Sequence, residues 1–283
     1  MMARSVIISI LTATCLCCDR EEPPAKDTSQ DSARRQEVMA FWSALRAARD
    51  RAAKSDWGGA RDSVSEALRI DPDHEGALYL SGNIAFEMGR YADARDAWDS
   101  LVSSHPHSAS GFSQLGSLYS SGVDPSLFDL GAAREAFEKL YDLNKESSEA
   151  TVRLGEVDLL QGKTSDALGR FERAVAFDPG NREAWLLKGF AHWLAGDRVL
   201  AEAAYKELEA SGVSEERPFA SEEGDTRAGH TPMMSADIAT LRPFAAMVRR
   251  AEEGVDAASN YRDAKKDMDR LLDMSRDEGE GGR

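Results

Sequence analysis

Small and apolar positions recur along the chain at a fixed interval. The unit is an Ala, an aromatic or β-branched residue four later, an Ala or Leu three after that, and a Pro five further on. It stands at Ala60, Val64, Ala67 and Pro72, and again at Ala94, Trp98, Leu101 and Pro106. It returns at Ala133, Phe137 and Leu140, where Lys145 takes the place of Pro. Ala167, Phe171, Ala174 and Pro179 form the fourth copy, and Ala201, Tyr205 and Leu208 the fifth, with Val213 in the Pro position. The leading alanines are 34, 39, 34 and 34 residues apart. Ahead of each lies another small residue: Ala48, Gly82, Gly116, Gly155 and Gly189. The third copy is longer, and its excess falls around residues 123–127.

Spacings of three, four and seven put these residues on one face of a helix. Each copy reads as two antiparallel helices, close together where the small residues meet. The aromatic residue fills the space to the next pair. Pro closes the second helix, since it donates no hydrogen bond and disfavours helix just before it. Asp71-Pro72-Asp73 and Asp178-Pro179-Gly180-Asn181 are turn sequences between copies. A single pair leaves an apolar face bare, and stacking the pairs buries it.

The pattern resembles the tetratricopeptide repeat over about 41–215. The third copy carries that family's first-helix residues at Phe112, Leu115, Gly116 and Tyr119, and the fifth carries Trp185 and Gly189. The resemblance implies an all-α, right-handed superhelical solenoid of about five helix hairpins, at about 41–74, 75–108, 109–147, 148–181 and 182–215. It also implies a concave groove walled by the first helix of each hairpin. Carried over position by position, that wall holds Trp42, Leu45 and Arg49, then Tyr79, Asn83 and Phe86. Ser110, Ser113, Ser117, Ser120 and Ser121 form its middle. Glu149, Val152, Glu156, Leu159 and Leu160, then Glu183, Leu186, Phe190, Trp193 and Leu194, complete it. Members that grip a carboxylate place several Lys, Arg and Asn residues on this wall. Here only Arg49 and Asn83 qualify, and Leu45 stands where such members carry Lys, so a carboxylate clamp is not expected. A wall that is apolar and aromatic at both ends suits a helix or an extended peptide. The competing expectation is that the chain's own termini cover it.

The ends read differently. Residues 1–18 combine one cation, Arg4, an apolar run from Val6 to Leu16, and Cys15, Cys17 and Cys18 before a polar break. This resembles a bacterial lipoprotein leader with Cys15 or Cys18 as the lipid attachment. An ordinary secretory signal and a cytosolic N-terminus are the alternatives. Residues 19–36 contain Pro23-Pro24 and little that is apolar, which predicts a disordered tether. Residues 213–232 read as a loop, 233–275 as a C-terminal helical cap and 276–283 as a frayed tail. Within the cap, Ser235 and Pro243 are start signals and Gly254 a stop. Val255, Ala258, Tyr261, Met268, Leu271 and Leu272 have helical spacing. This segment either caps the last hairpin or fills the groove.

Composition narrows the function. Asp and Glu number 50 against 35 Lys and Arg, a net charge of −15. Phosphate contacts need a basic face, so nucleic acid is excluded as a partner. The three cysteines all lie in the leader, leaving no disulfide or thiolate metal site in the body. His105 and His107 sit in a turn with no third ligand nearby, and His192 falls at a packing position of its repeat. No phosphate loop, nucleophile elbow or metalloprotease motif occurs. The expectation is therefore no cofactor, no metal and no catalysis. The chain reads as a protein-protein interaction scaffold, tethered in a bacterial envelope and facing the periplasm, that assists assembly of an envelope complex. A soluble cytosolic adaptor or cochaperone is the alternative.

Overall fold

The computed structural model describes residues 28–211 and 242–280. The chain divides into two compact units, Met1–Met39 and Ala40–Arg283. Ten helices form five antiparallel pairs: α1 (Thr28–Ala52) with α2 (Trp57–Ile70), α3 (Glu75–Glu87) with α4 (Tyr91–Ser104), α5 (Ala109–Ser121) with α6 (Leu130–Leu143), α7 (Ser148–Leu160) with α8 (Thr164–Phe177), and α9 (Arg182–Leu194) with α10 (Arg198–Ser211). Each second helix packs on the first helix of the next pair. Two further helices follow, α11 (Ala245–Glu252) and α12 (Ala257–Glu280).

Local chemistry sets the ends. Oxygen-bearing side chains cap several first turns: Asp56 accepts from the Gly59 amide, Asp129 from Gly131 and Ala132, Ser147 from Ala150, and Asn181 from Ala184. Gly122 ends α5 in the left-handed region at φ 67°, which favours glycine. The repeat alanines are fully buried, as are the aromatics four residues on, Trp98, Phe137 and Phe171. Each of those rings lies against a glycine of the partner helix. A Cβ on Gly82, Gly116 or Gly155 would come within 2.2, 2.5 and 2.5 Å of the facing ring. The small residues at these positions are thus what lets each pair close.

Two departures from the sequence reading, and one feature it left without a structure, have physical causes. Helix α1 begins at Thr28, inside the segment read as a disordered tether. From Thr28 to Ala52 there is no Pro or Gly, and extending an existing helix needs no new nucleus. Extension of an existing helix likewise carries α12 to Glu280, through Gly279 and into the expected tail. The extra residues of the third copy form a 3₁₀ turn, Pro125–Leu127, whose N-cap Asp124 accepts from the Ser126 amide. Leu127 and Phe128 are buried there. The excess is therefore part of the core, not a surface insertion. Residues 1–27, with Cys15 and Cys18, and residues 212–241, with the expected 213–232 loop and Ser235, lie outside the described residues. Among the described residues no helix is long and apolar enough to cross a membrane.

Candidate functional site

The first helices α1, α3, α5, α7 and α9 carry the expected wall, and the structure treats its two ends differently. At the first two hairpins, Trp42 is half exposed, while Arg49 and Tyr79 are partly buried. Trp42 meets Phe41 edge-on at 5.1 Å and His74 at 5.6 Å. The Gln114 amide donates to the Tyr79 hydroxyl at 3.2 Å, linking α5 to α3. Asn83 is 1% exposed, and neither end of its amide has a partner. Such a group costs stability until something bonds it.

Several expected contacts are core instead. Leu45 packs with Phe41, Ala48 and Val64 in the first hairpin, and Phe86 packs on Tyr91 and Trp98. Both side chains turn inward between paired helices, so neither offers surface to a partner. In the middle of the wall, Ser120 donates to the Gly116 carbonyl and Ser121 to that of Leu118. These hydroxyls serve their own helix.

Val152, Glu156, Leu186 and Phe190 are fully or almost fully buried, and Val152, Leu186 and Phe190 share a core with Phe244, Met247 and Tyr261 of the C-terminal helix pair. Phe190 lies 5.7 Å from the Phe244 ring, 6.0 Å from Tyr261 and 6.1 Å from Trp193. Trp193 keeps a partly exposed face under the Arg198 guanidinium, 4.4 Å from the ring. Helix α12 continues across α7 to the 3₁₀ turn. As a result every residue of α7 from Ala150 to Leu160 is buried. Expecting Phe190 as a bare groove contact was therefore incorrect. Its neighbours come from beyond residue 241, where the repeat pattern gives no register.

Glu156, expected on the wall, belongs instead to a buried cluster of charges beneath this cover. Arg153 pairs with Glu156 on its own helix and with Glu183 of α9 at 2.5 Å, and Glu183 also takes Arg242 at 3.1 Å. Burial pushes the Glu156 carboxyl up to about 7, against the attraction of Arg153, and the Glu183 charge adds to the rise. Burial opposes the charge on Arg153, but Glu156 and Glu183 outweigh it and hold the guanidinium ionised. One oxygen of Glu156 has no partner. On the outer side, Asp158 is held between Arg134 at 2.5 Å and Arg170 at 2.6 Å. The only hint in the sequence was the three-residue step from Arg153 to Glu156, a spacing equally common on solvated faces.

Glu156 makes a pH prediction. Its folded value lies above the ordinary 4.5, so the folded state binds the proton more tightly than the unfolded one. Its contribution to stability is present below about pH 4.5 and is lost as pH rises towards 7. Glu156→Gln should flatten that slope by roughly 1–3 kcal/mol. Thermal melts of both proteins from pH 5 to 8 check this. Parallel curves would show that Glu156 stays ionised throughout.

The described residues contain no group of three or more His, Cys, Asp or Glu placed to hold a metal. His192 is buried on α9, consistent with packing. Tetratricopeptide repeat models match residues 45–109 and 127–189. A MamA crystal structure is 21% identical and covers 61% of this chain and 91% of its own, with a TM-score of 0.51. MamA residues 41-end from Desulfovibrio magneticus RS-1 is 15% identical, over 61% and 95%, with a TM-score of 0.52. YrrB, described as a TPR protein with an unusual peptide-binding site, is 19% identical, over 66% and 92%, with a TM-score of 0.50. No curated protein matches the sequence. The hairpin register, the glycine-on-aromatic contacts and the two matched segments agree that residues 45–109 and 127–189 are tetratricopeptide repeats.

Proposed function

We propose that this non-catalytic scaffold holds a partner chain against the first two hairpins of its groove and does so at a bacterial envelope membrane. The observation that carries the reading is the conjunction at that end of the wall. Trp42 and Tyr79 offer aromatic surface and Arg49 a cation, whereas Asn83 is buried behind the wall and offers none. Aromatic and Arg side chains are the types that most often dominate binding energy. The YrrB likeness supports a peptide as the ligand class.

The membrane half of the proposal rests on the leader-like sequence of residues 1–18, with Cys15 or Cys18 as the acylated residue. Two or more acyl chains hold a protein stably, where a single chain does not. The partner would then be a component of an envelope complex whose assembly the scaffold assists.

Purification from detergent-solubilised membranes tests both halves. The N-terminal peptide should begin at Cys15 or Cys18 and carry a diacylglyceryl mass. A partner should co-purify with the wild type and be reduced at least tenfold by Arg49→Ala with Tyr79→Ala, at unchanged helicity. An intact Met1 peptide from the soluble fraction would instead make this a cytosolic adaptor. Equal capture by the double variant would remove the groove from the account.

A further inference from the structure

We propose that the wall of the fourth and fifth hairpins is a docking site for an amphipathic helix, and that α12 occupies it as an internal stand-in for that partner helix. The proposal rests on the groove reading above and names the partner class for its other end.

The seat is built for a helix lying across the repeats. Helix α12 touches α7 and the 3₁₀ turn as well as α11, and its Tyr261 meets Tyr205 of α10. Its buried apolar residues Ala257, Tyr261, Ala264, Met268 and Leu271 step by four, three, four and three, one stripe along one side, while the buried Asn260 donates to the Met247 carbonyl of α11. Arg262, Lys265, Lys266 and Arg270 face solvent on the other side. A helix that uses one stripe and leaves the rest charged is the form in which amphipathic ligands enter grooves.

The repeats contribute features that serve only this occupant. In the second, third and fourth hairpins the glycine of the first helix is covered by that hairpin's own aromatic. In the fifth, the place over Gly189 is taken by Tyr261, whose hydroxyl sits 3.4 Å from the Ala201 carbonyl. Tyr205, the hairpin's own aromatic, points instead to the Val255 carbonyl at 2.7 Å. The niche therefore accepts an aromatic side chain delivered from outside the hairpin. The longer third copy supplies a ledge, Leu127 and Phe128, beside the far end of α12. At the near end Glu183 takes Arg242, which precedes the helix pair.

These contacts define the external ligand. It is an amphipathic helix with an aromatic residue, a small residue three later, and Met or Leu at seven and ten later. A basic residue upstream would meet Glu183. An occupant tied to the same chain competes at high effective concentration, so the partner helix binds only when it matches these contacts and α12 yields.

Two measurements on the full chain test this. The first is hydrogen exchange of the wild type. Amides of α12 from 257 to 271 should exchange at least tenfold faster than those of α7 from 150 to 160, because α12 leaves without the repeats unfolding. Equal rates would make α12 an integral cap and overturn the proposal. The second uses a labelled synthetic peptide of residues 257–273 as the probe. It should bind the Met268→Ala, Leu271→Ala protein at least tenfold more tightly than the wild type. The same peptide with Ala in the Tyr261 position should lose that binding. Equal affinity for both proteins, or no dependence on the tyrosine, overturns the proposal. Failure of the first-hairpin reading would appear in the Arg49 and Tyr79 capture experiment and would leave both of these readouts unchanged.

Discussion

Gly155→Leu is expected to be the most damaging single change in the repeat body. A Cβ at 155 alone would lie 2.5 Å from a ring carbon of Phe171, and a leucine adds three more carbons behind it. Neither side has room to yield. Phe171 is fully buried, and α7 is covered on its concave face by α12 and flanked by α8 and α9. Overpacking of a well-packed core typically costs 1–3 kcal/mol, and a site closed on every side belongs at the top of that range, about 3 kcal/mol. His105→Ala is the matched control. His105 lies in the turn after α4, where its Nε2 approaches the Asp73 carbonyl at 2.5 Å. Losing one such bond near the surface costs about 1 kcal/mol or less. Urea titrations of the two variants give the ranking, and the reverse order would mean that the hairpin register is wrong.

The second large effect is expected for Tyr261→Ala, at about 3–5 kcal/mol by analogy with other large aromatic truncations. The ring touches Phe190 and Trp193 at 6.0 and 6.1 Å and meets Tyr205 edge-on at 6.0 Å. Removing it leaves the niche over Gly189 empty and uncovers the Phe190 wall. Burial has already pushed the Tyr261 phenol up, so it stays neutral throughout the working range. Its hydroxyl makes one long bond to the Ala201 carbonyl, so the ring rather than the oxygen carries the energy. Tyr261→Phe should therefore cost under about 1 kcal/mol. Equal losses for the two variants in urea titrations would shift the weight from the ring to the hydroxyl.

The hairpins were legible because their cause is local and repeated. Ala, aromatic and Pro at fixed steps specify two helices, a close approach and a stop. Five copies in phase outweigh the missing Pro at Lys145 and at Val213. The groove was less legible because position on a wall does not say what stands opposite. Leu45 and Phe86 occupy wall positions of their repeats, yet each turns into its own hairpin. Phe190 keeps its place on the wall and is buried all the same, because Phe244 and Tyr261 reach it from a segment with no repeat register. The Arg153, Glu156 and Glu183 cluster shows the same limit for charge. Residues three apart on a helix pair equally well in water, and only the cover provided by α12 makes this pair a buried one. Where the register ended, at residues 123–127 and after 212, sequence reasoning could name helices but not their neighbours.

The central claim is that a partner chain lies in the concave groove at the first hairpins. A photo-crosslinking residue placed at position 79, on the groove wall, tests it most directly. Position 177, where the exposed Phe177 ends α8 away from that wall, is the control. With each variant irradiated in membranes, position 79 should give a discrete adduct that Arg49→Ala weakens, and position 177 should give none. An adduct at 177 with none at 79 would place the partner on the outer surface and contradict the account.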